Sequence, residues 1–443
     1  MPKLRLFDNL FIGKIVIKFK MIPDISDFKS SLKSKILEIK DITNRRKTVI
    51  LSFDLEGRIM NIKLKDEIFN NEVKIFERGF DGKFYIYSEN CKNLNPNNKS
   101  IYQYYDYYNE TVNENLEISE IMINSINSFL KGISARKNLS LAKDKFSILE
   151  RAYSLYGWRG LLNERFKVQK IYCNSISVLP PEVRPDQNPT FSIIQIAQGC
   201  WIKDKKGPCK FCDSYKDINY REKSIKELEK HIGLVINNSG KGWRYVKKIF
   251  LLDADPLHTN IKTETYFKFL KKKISKIKWY ESFISTLTIL SKPVSEWEKI
   301  KKLGLKKVYW GVESADDKTL MFLGKSHTNK MLYNAASMLN KIGLHYVVIL
   351  LSGIANLGYE NNHIEKTAEF IQDINATDVY ISRFTPQPNT ELFDLIKNKK
   401  IIFPSISDRE IEHRAMIKTI SRKNNHLIAT RNVRGTYGVQ FNR

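Results

Sequence analysis

Three cysteines fall within thirteen residues, Cys200, Cys209 and Cys212, inside the stretch IIQIAQGCWIKDKKGPCKFCDSY. Eight residues separate the first two and two residues separate the last two. Thiolates are soft ligands, and three of them gathered just past an apolar run ask for a soft metal or an iron–sulfur centre. A structural zinc with His231 or His258 as fourth ligand is the competing reading. Such sites usually pair two ligand knuckles, and only Cys209-x-x-Cys212 is present. The other two cysteines, Cys91 and Cys173, stand alone, and an odd total with three bunched argues against a disulfide framework.

Further polar residues sit where apolar runs stop. Asp253 and Asp255 follow Lys248–Leu252, and each is equally readable as a helix N-cap. Glu313 closes another apolar run, where a carboxylate is costly to bury without a partner. Arg383, just past Asp378–Ser382, can pair with an anionic group. His258, His327 and His363 read as ordinary loop or helix-start residues.

The elements that must position these residues are legible as a rhythm. Strand-like apolar runs recur at Ser192–Ala197, Lys248–Leu252, Phe283–Leu287, Lys307–Gly311, His345–Ser352 and Asp378–Ser382. Amphipathic, helix-length segments fill the gaps: Ser224–Ile236, Thr263–Ile274, Ser295–Leu303, Lys330–Ile342 and Ile364–Ile374. Six strands with a helix in each gap imply an α/β fold with a parallel sheet and right-handed crossovers. Either an open sheet or a partial barrel then gathers its polar residues at the C-terminal ends of the strands.

With these pieces in order, the chain resembles the radical S-adenosylmethionine (SAM) superfamily, with a core of the Elongator or cobalamin-dependent type. The cysteine cluster carries the resemblance together with IFLLDADPL at Ile249–Leu257, VYWGVESAD at Val308–Asp316, the following Leu323-Gly324-Lys325, and GLHYVVILLSG at Gly343–Gly353. It covers about residues 186–410. It implies a partial (β/α)6 TIM-like barrel whose Cys200, Cys209 and Cys212 hold three irons of a [4Fe–4S] cluster, leaving the fourth iron for the amino and carboxylate groups of SAM. It further implies reductive cleavage of SAM to a 5′-deoxyadenosyl radical, with flavodoxin or ferredoxin as reductant. By the same resemblance Phe211 lies against the adenine, Glu313 and Ser314 reach the ribose or amino group, and Ser285 is a ribose candidate. The commonest spacing in the family has three residues between the first two cysteines, although Elongator-type subunits have longer loops. The usual Gly-Gly-Glu after the second strand is here Leu252-Asp253-Ala254-Asp255, so Asp253 or Asp255 would take the ammonium group.

Around this core the chain divides by composition. Residues 1–110 alternate apolar and polar in short runs, with a helical stretch over Asp27–Lys40, and read as a small α+β domain. Residues 111–185 read as a helical region, preceded by the aromatic run Tyr102–Tyr108 and closed by a Pro-rich linker at 179–189. Residues 186–395 form the core, and 396–443 a helix around Asp408–Thr419 followed by a basic tail in which Ile428–Val439 can add a strand. A length of 443 residues suits two or three such units at about one per 150 residues.

Composition sets the remaining bounds. A hydrophobic fraction of 42% fits a globular chain, and no segment reaches the roughly 20 apolar residues that span a bilayer. The N-terminus carries charges inside its apolar stretch and makes a poor signal peptide, so a cytoplasmic enzyme without membrane contact is expected. The net charge of +26 favours RNA or an anionic substrate, but Ile, Lys and Asn are abundant throughout and no Arg-aromatic patch concentrates the charge. The expected function is radical-based modification of RNA or a small molecule. The alternatives are an inactive barrel that binds nucleic acid and a zinc-binding structural protein.

Overall fold

The computed structural model describes residues 191–354, 362–384, 386, 390–423, four residues between 171 and 176, and the strands within 7–88 and 428–442. The chain divides into two compact units. One is Met1–Ser175 with Arg184–Ser192 and Gly233–Val246, and the other is Ile176–Val183 with Ile193–Ile232 and Lys247–Arg443.

In the first unit, β1 (Phe7–Ile12), β2 (Ile15–Pro23), β3 (Lys33–Asn44), β4 (Lys47–Phe53), β5 (Ile59–Lys65), β6 (Val73–Arg78) and β7 (Phe84–Ser88) form a seven-stranded sheet. Each strand pairs antiparallel with the next. The helix expected over Asp27–Lys40 is therefore wrong from Lys33 onward, where β3 runs between two neighbours. The cause is cross-strand register: Ile17, Ile39, Leu51, Ile62, Phe76 and Ile86 fall into one row across six strands. Such a row rewards strand pairing more than local spacing rewards a helix. The helical component expected of this region, the helices of 111–165, the run Tyr102–Tyr108, the 179–189 linker, Cys91 and Cys173 lie outside the described residues.

The second unit is built on an eight-stranded sheet. Its strands are β8 (Phe191–Gln195), β11 (Lys248–Leu252), β12 (Trp279–Ile284), β13 (Leu305–Glu313), β14 (His345–Ser352), β15 (Asp378–Arg383), β16 (Ile428–Arg434) and β17 (Gly438–Asn442). They lie side by side in that order. From β11 to β16 every pairing is parallel, and β17 returns antiparallel. The basic tail thus extends the sheet by two strands. A two-residue pair, β9 (Ala197–Gln198) with β10 (Arg221–Glu222), sits beside β8 in the chain.

Five of the six expected runs coincide with strands; the third is displaced. Phe283–Leu287 was the expected run, but β12 stops at Ile284 and Ser285 caps helix α4 (Thr286–Ser291), accepting from the Thr288 N–H at 3.1 Å. A hydroxyl at that position offers the backbone a cap, which wins over extension. The other helices are α1 (Trp201–Lys206), α2 (Ile225–Ser239), α3 (Thr263–Lys273), α5 (Val294–Lys302), α6 (Asp317–Phe322), α7 (Asn329–Ile342), α8 (His363–Asp373), α9 (Glu391–Lys397) and α10 (Ile406–Lys423).

Alternation along the parallel strands sends one set of side chains to each side of the sheet. On one side Phe250, Phe283, Tyr309 and Tyr380 touch ring to ring, with neighbouring centroids 4.9–6.1 Å apart. On the other, fully buried Trp310 packs edge-on to Tyr346 and Phe370 and donates its indole N–H to Thr286 Oγ1 at 2.9 Å. Replacing Trp310 by Ala removes that layer and the hydrogen bond together. It is expected to destabilise the protein by about 3–5 kcal/mol in urea unfolding. A loss near zero would mean that this helix-facing layer is not the core.

Candidate functional site

Fully buried Asp253, the first residue past β11, organises the approach to the cysteines. Its Oδ2 accepts from the Gly199 N–H and from Gln195 Nε2, both at 2.9 Å. Gly199 has φ +76°, and a Cβ there would come within 2.9 Å of the Ile218 and Asn219 carbonyl oxygens, so only glycine fits. The Gln195 N–H in turn donates to His231 Nε2 at 3.0 Å, which takes that nitrogen out of any ligand set.

Cys200 follows Gly199, and the eight-residue interval to Cys209 is taken up by α1. The helix is pinned by Lys203 Nζ, which donates to the Ile218 carbonyl at 2.9 Å, and it stops at Gly207 with φ +87°. Cys209 and Cys212 then share a tight turn, the Cys212 N–H donating to the Cys209 carbonyl at 3.1 Å. Between them Lys210 fixes the turn from both sides: its N–H donates to the Leu323 carbonyl at 3.0 Å, and its carbonyl accepts from the Leu392 N–H at 2.9 Å. Phe211 packs against the cluster of Leu323, Leu351, Ile354, Phe384 and Leu392.

The three thiols are free and partly buried. Burial pushes the Cys212 thiol up to about 12, with Cys209 adding to the shift, and burial raises Cys200 as well. Among the described residues no three His, Cys, Asp or Glu side chains gather closely enough to hold one metal ion.

Asp255 lies beside Cys200 and is buried. Its Oδ2 accepts from Trp201 Nε1 at 2.7 Å and from the Thr288 hydroxyl at 2.6 Å, and Ser285 also bonds to the carboxylate. Its Oδ1 is buried without a hydrogen-bond partner among the described residues, and burial raises its pKa. Trp201 stacks on His258 with centroids 3.7 Å apart and planes 11° from parallel.

On the neighbouring strands, Glu313 ends β13 with a left-handed backbone, φ +66°. Its Oε1 lies 3.4 Å from Lys325 Nζ, which also donates to the Gly311 carbonyl at 3.1 Å. A Cβ on residue 311 would stand 2.9 Å from that carboxylate oxygen, so Gly311 leaves the room in which Glu313 folds back. Burial raises the Glu313 pKa while Lys325 works against the shift.

The Ser314 hydroxyl is bonded on both sides within the fold. The Leu351 carbonyl can only accept, so His363 carries its hydrogen on Nε2 (3.0 Å), and its Nδ1 accepts from the Ser314 hydroxyl at 2.8 Å. Ser314 Oγ accepts from the Asp316 N–H at 3.0 Å, so the hydroxyl is committed inside the fold. Arg383 is likewise engaged, 3.0 Å from Glu410 Oε2 on α10. The structure also brings in residues that spacing did not suggest. Trp201 and Thr288 reach Asp255, and Glu412 on α10 accepts from the Gly353 and Ile354 N–H groups at 2.7 and 3.1 Å. No sequence signal marked them, because they act through hydrogen bonds to residues far along the chain.

Residues 194–371 match the Radical SAM superfamily model. The chain carries a radical SAM domain. It is also 24% identical over 230 residues to a curated Pyrococcus horikoshii protein named an uncharacterized methyltransferase, covering 51% of this chain and 46% of the relative. It thus spans about half the length of the curated relative it matches. Among solved structures it is similar to the radical SAM methyltransferase TsrM from Kitasatospora setae (11% identity, 47% of this chain and 37% of that one, TM-score 0.38). Elp3 from the archaeon Methanocaldococcus infernus is another (13% identity, 54% and 56% covered, TM-score 0.36). Enzymes of the radical SAM superfamily work with a [4Fe–4S] cluster and SAM, cleave SAM to a radical, and draw on a reductant. Among the described residues no helix is long and apolar enough to cross a membrane.

The buried histidines of the radical SAM domain make its stability pH-dependent. Burial holds His363 down to about 4 and His231 to about 3, against an ordinary value near 6.5. The unfolded chain therefore takes up protons near pH 6.5 while the folded one refuses them until about pH 4. The stabilisation is complete above the unfolded value and is lost as pH falls from 6.5 toward 4, at about 3 kcal/mol per histidine. The melting temperature is expected to fall across that window, and a His363→Gln variant should fall less steeply; parallel slopes would refute a neutral buried His363.

Proposed function

We propose that Cys200, Cys209 and Cys212 are the ligands of the [4Fe–4S] cluster and that the segment 186–395 is the catalytic core, preceded in the chain by 1–110 and 111–185 and followed by 396–443, whose strands β16 and β17 continue the core sheet. The observation that carries the site is the unpartnered, buried Asp255 Oδ1 beside Cys200. A desolvated carboxylate oxygen facing the cysteine loop suits an ammonium group such as that of SAM. Asp253, whose Oδ2 already holds Gly199 and Gln195, serves instead to position Cys200. Glu313 is the second polar contact for SAM, and Phe211 offers an apolar face to its adenine. Ser285 acts through Asp255 and the α4 cap, and Ser314 holds the turn after β13 through His363, so both support the site without touching the cofactor.

When bound, the reduced cluster supplies the electron that cleaves SAM to a 5′-deoxyadenosyl radical. The chain's part is to hold its ligands and exclude water, since a carbon radical must meet its substrate and not solvent. The substrate is an anionic molecule, with RNA favoured by the net charge of +26, and the methyltransferase name of the relative supports transfer of a one-carbon group. Flavodoxin or ferredoxin serves as reductant, in a cytoplasmic setting.

Anaerobic reconstitution with iron and sulfide, followed by low-temperature EPR of the dithionite-reduced protein, tests this. A [4Fe–4S]⁺ signal that changes on adding SAM is expected, and Cys200→Ala should abolish it while the circular dichroism stays native. Asp255→Asn should keep the cluster signal but weaken SAM binding roughly 10- to 100-fold, the cost of about 1.5–3 kcal/mol for a charged hydrogen bond. Stoichiometric zinc, or a cluster retained in Cys200→Ala, would overturn the assignment.

A further inference from the structure

Lys325 is the cation that the geometry brings to the cysteine turn. The loop after α6 lies directly on that turn: a Cβ on Gly324 would meet Lys210 Cγ at 3.2 Å, the Lys210 nitrogen at 3.4 Å and the Pro208 carbonyl oxygen at 3.7 Å. Lys210 and Pro208 are the two neighbours of Cys209, and the Lys210 N–H is bonded back to Leu323. Lys325 comes next in the chain, its side chain only 13% exposed, and its ammonium is held between the Gly311 carbonyl and Glu313.

We propose that Lys325 sets the reduction potential of the cluster held by Cys209 and Cys212. This rests on the cluster assignment above. Reduction adds one negative charge to a group that three thiolates already make negative, and a buried cation beside it favours the added electron. An exposed lysine would be screened by water and would do little. Burial by itself disfavours the ammonium, but Glu313 and the thiols of Cys209 and Cys212 together push Lys325 above the ordinary lysine value, so the charge is retained. Among the described residues Glu313 is the carboxylate within ion-pair distance of Lys325.

The role is one of tuning, so the readout is a potential and not turnover. EPR-monitored redox titration of the reconstituted full chain, without SAM, is compared for the wild type and for Lys325→Met, Lys325→Gln and Lys325→Arg. Lys325→Met and Lys325→Gln are expected to shift the midpoint to lower potential, while Lys325→Arg, which keeps the charge, stays near the wild type. An unchanged midpoint in the neutral variants would overturn the inference, and so would an equal downward shift in Lys325→Arg. Loss of the cluster from both neutral variants would also overturn it, since the ammonium would then be needed for assembly and not for poise. A wild-type protein that takes up no cluster would instead sink the underlying cofactor assignment.

Discussion

One carboxylate oxygen holds the site to the sheet. Asp253 Oδ2 receives the Gly199 backbone N–H and the Gln195 side chain, so the end of β11, the end of β8 and the entry to Cys200 share a single acceptor. The residue is fully buried, and a charged acceptor in such a place is stable only while its donors remain. Losing either donor would leave a desolvated charge, which makes this junction all-or-none and fixes where the first thiol stands relative to the strands. Gly199 completes the junction, since its φ of +76° and its contacts with two carbonyl oxygens admit no side chain.

The same device recurs along the C-terminal edge of the sheet. Asp255 takes Trp201 and Thr288, Asp316 takes the Thr319 N–H at 3.0 Å, and Glu412 takes the two N–H groups past β14. Parallel strands end in loops whose N–H groups lack partners in the ladder, and buried acceptors must satisfy them. Asp255 Oδ2 is committed to its donors, and its Oδ1 is buried without a hydrogen-bond partner among the described residues.

The core's rhythm was legible because β-branched and aromatic runs such as Lys248–Leu252 and His345–Ser352 are buried on both faces and need no alternation to be recognised. It failed where local and non-local preferences disagree. Phe283–Leu287 is apolar enough for a strand, yet Ser285 ends it with a cap. Lys33–Lys40 has spacing that passes for a helix, and only partners far along the chain make it β3. At the candidate site, the cysteines and Glu313 stand out in the sequence by residue type alone. Asp253 and Asp255 are not separable by type, because their partners Gln195, Trp201 and Thr288 lie tens of residues away. The surroundings of Ser314 are hidden for the same reason: its partner, His363, is 49 residues on.

The wide spacing between Cys200 and Cys209 follows from how the loop is anchored. Cys200 is fixed by the Asp253 junction, and Cys209 with Cys212 by the two backbone bonds of Lys210 to Leu323 and Leu392. Neither anchor involves the residues between them, so the interval can lengthen without moving a thiol. A six-residue helix fills it, closed by the Asp204 N–H donating to the Cys200 carbonyl at 3.4 Å and the Gly207 N–H to the Lys203 carbonyl at 2.9 Å. Trp201 turns that insertion to use, since its ring rests on His258 while its N–H orients Asp255. The loop is thus joined to the carboxylate proposed to meet the cofactor.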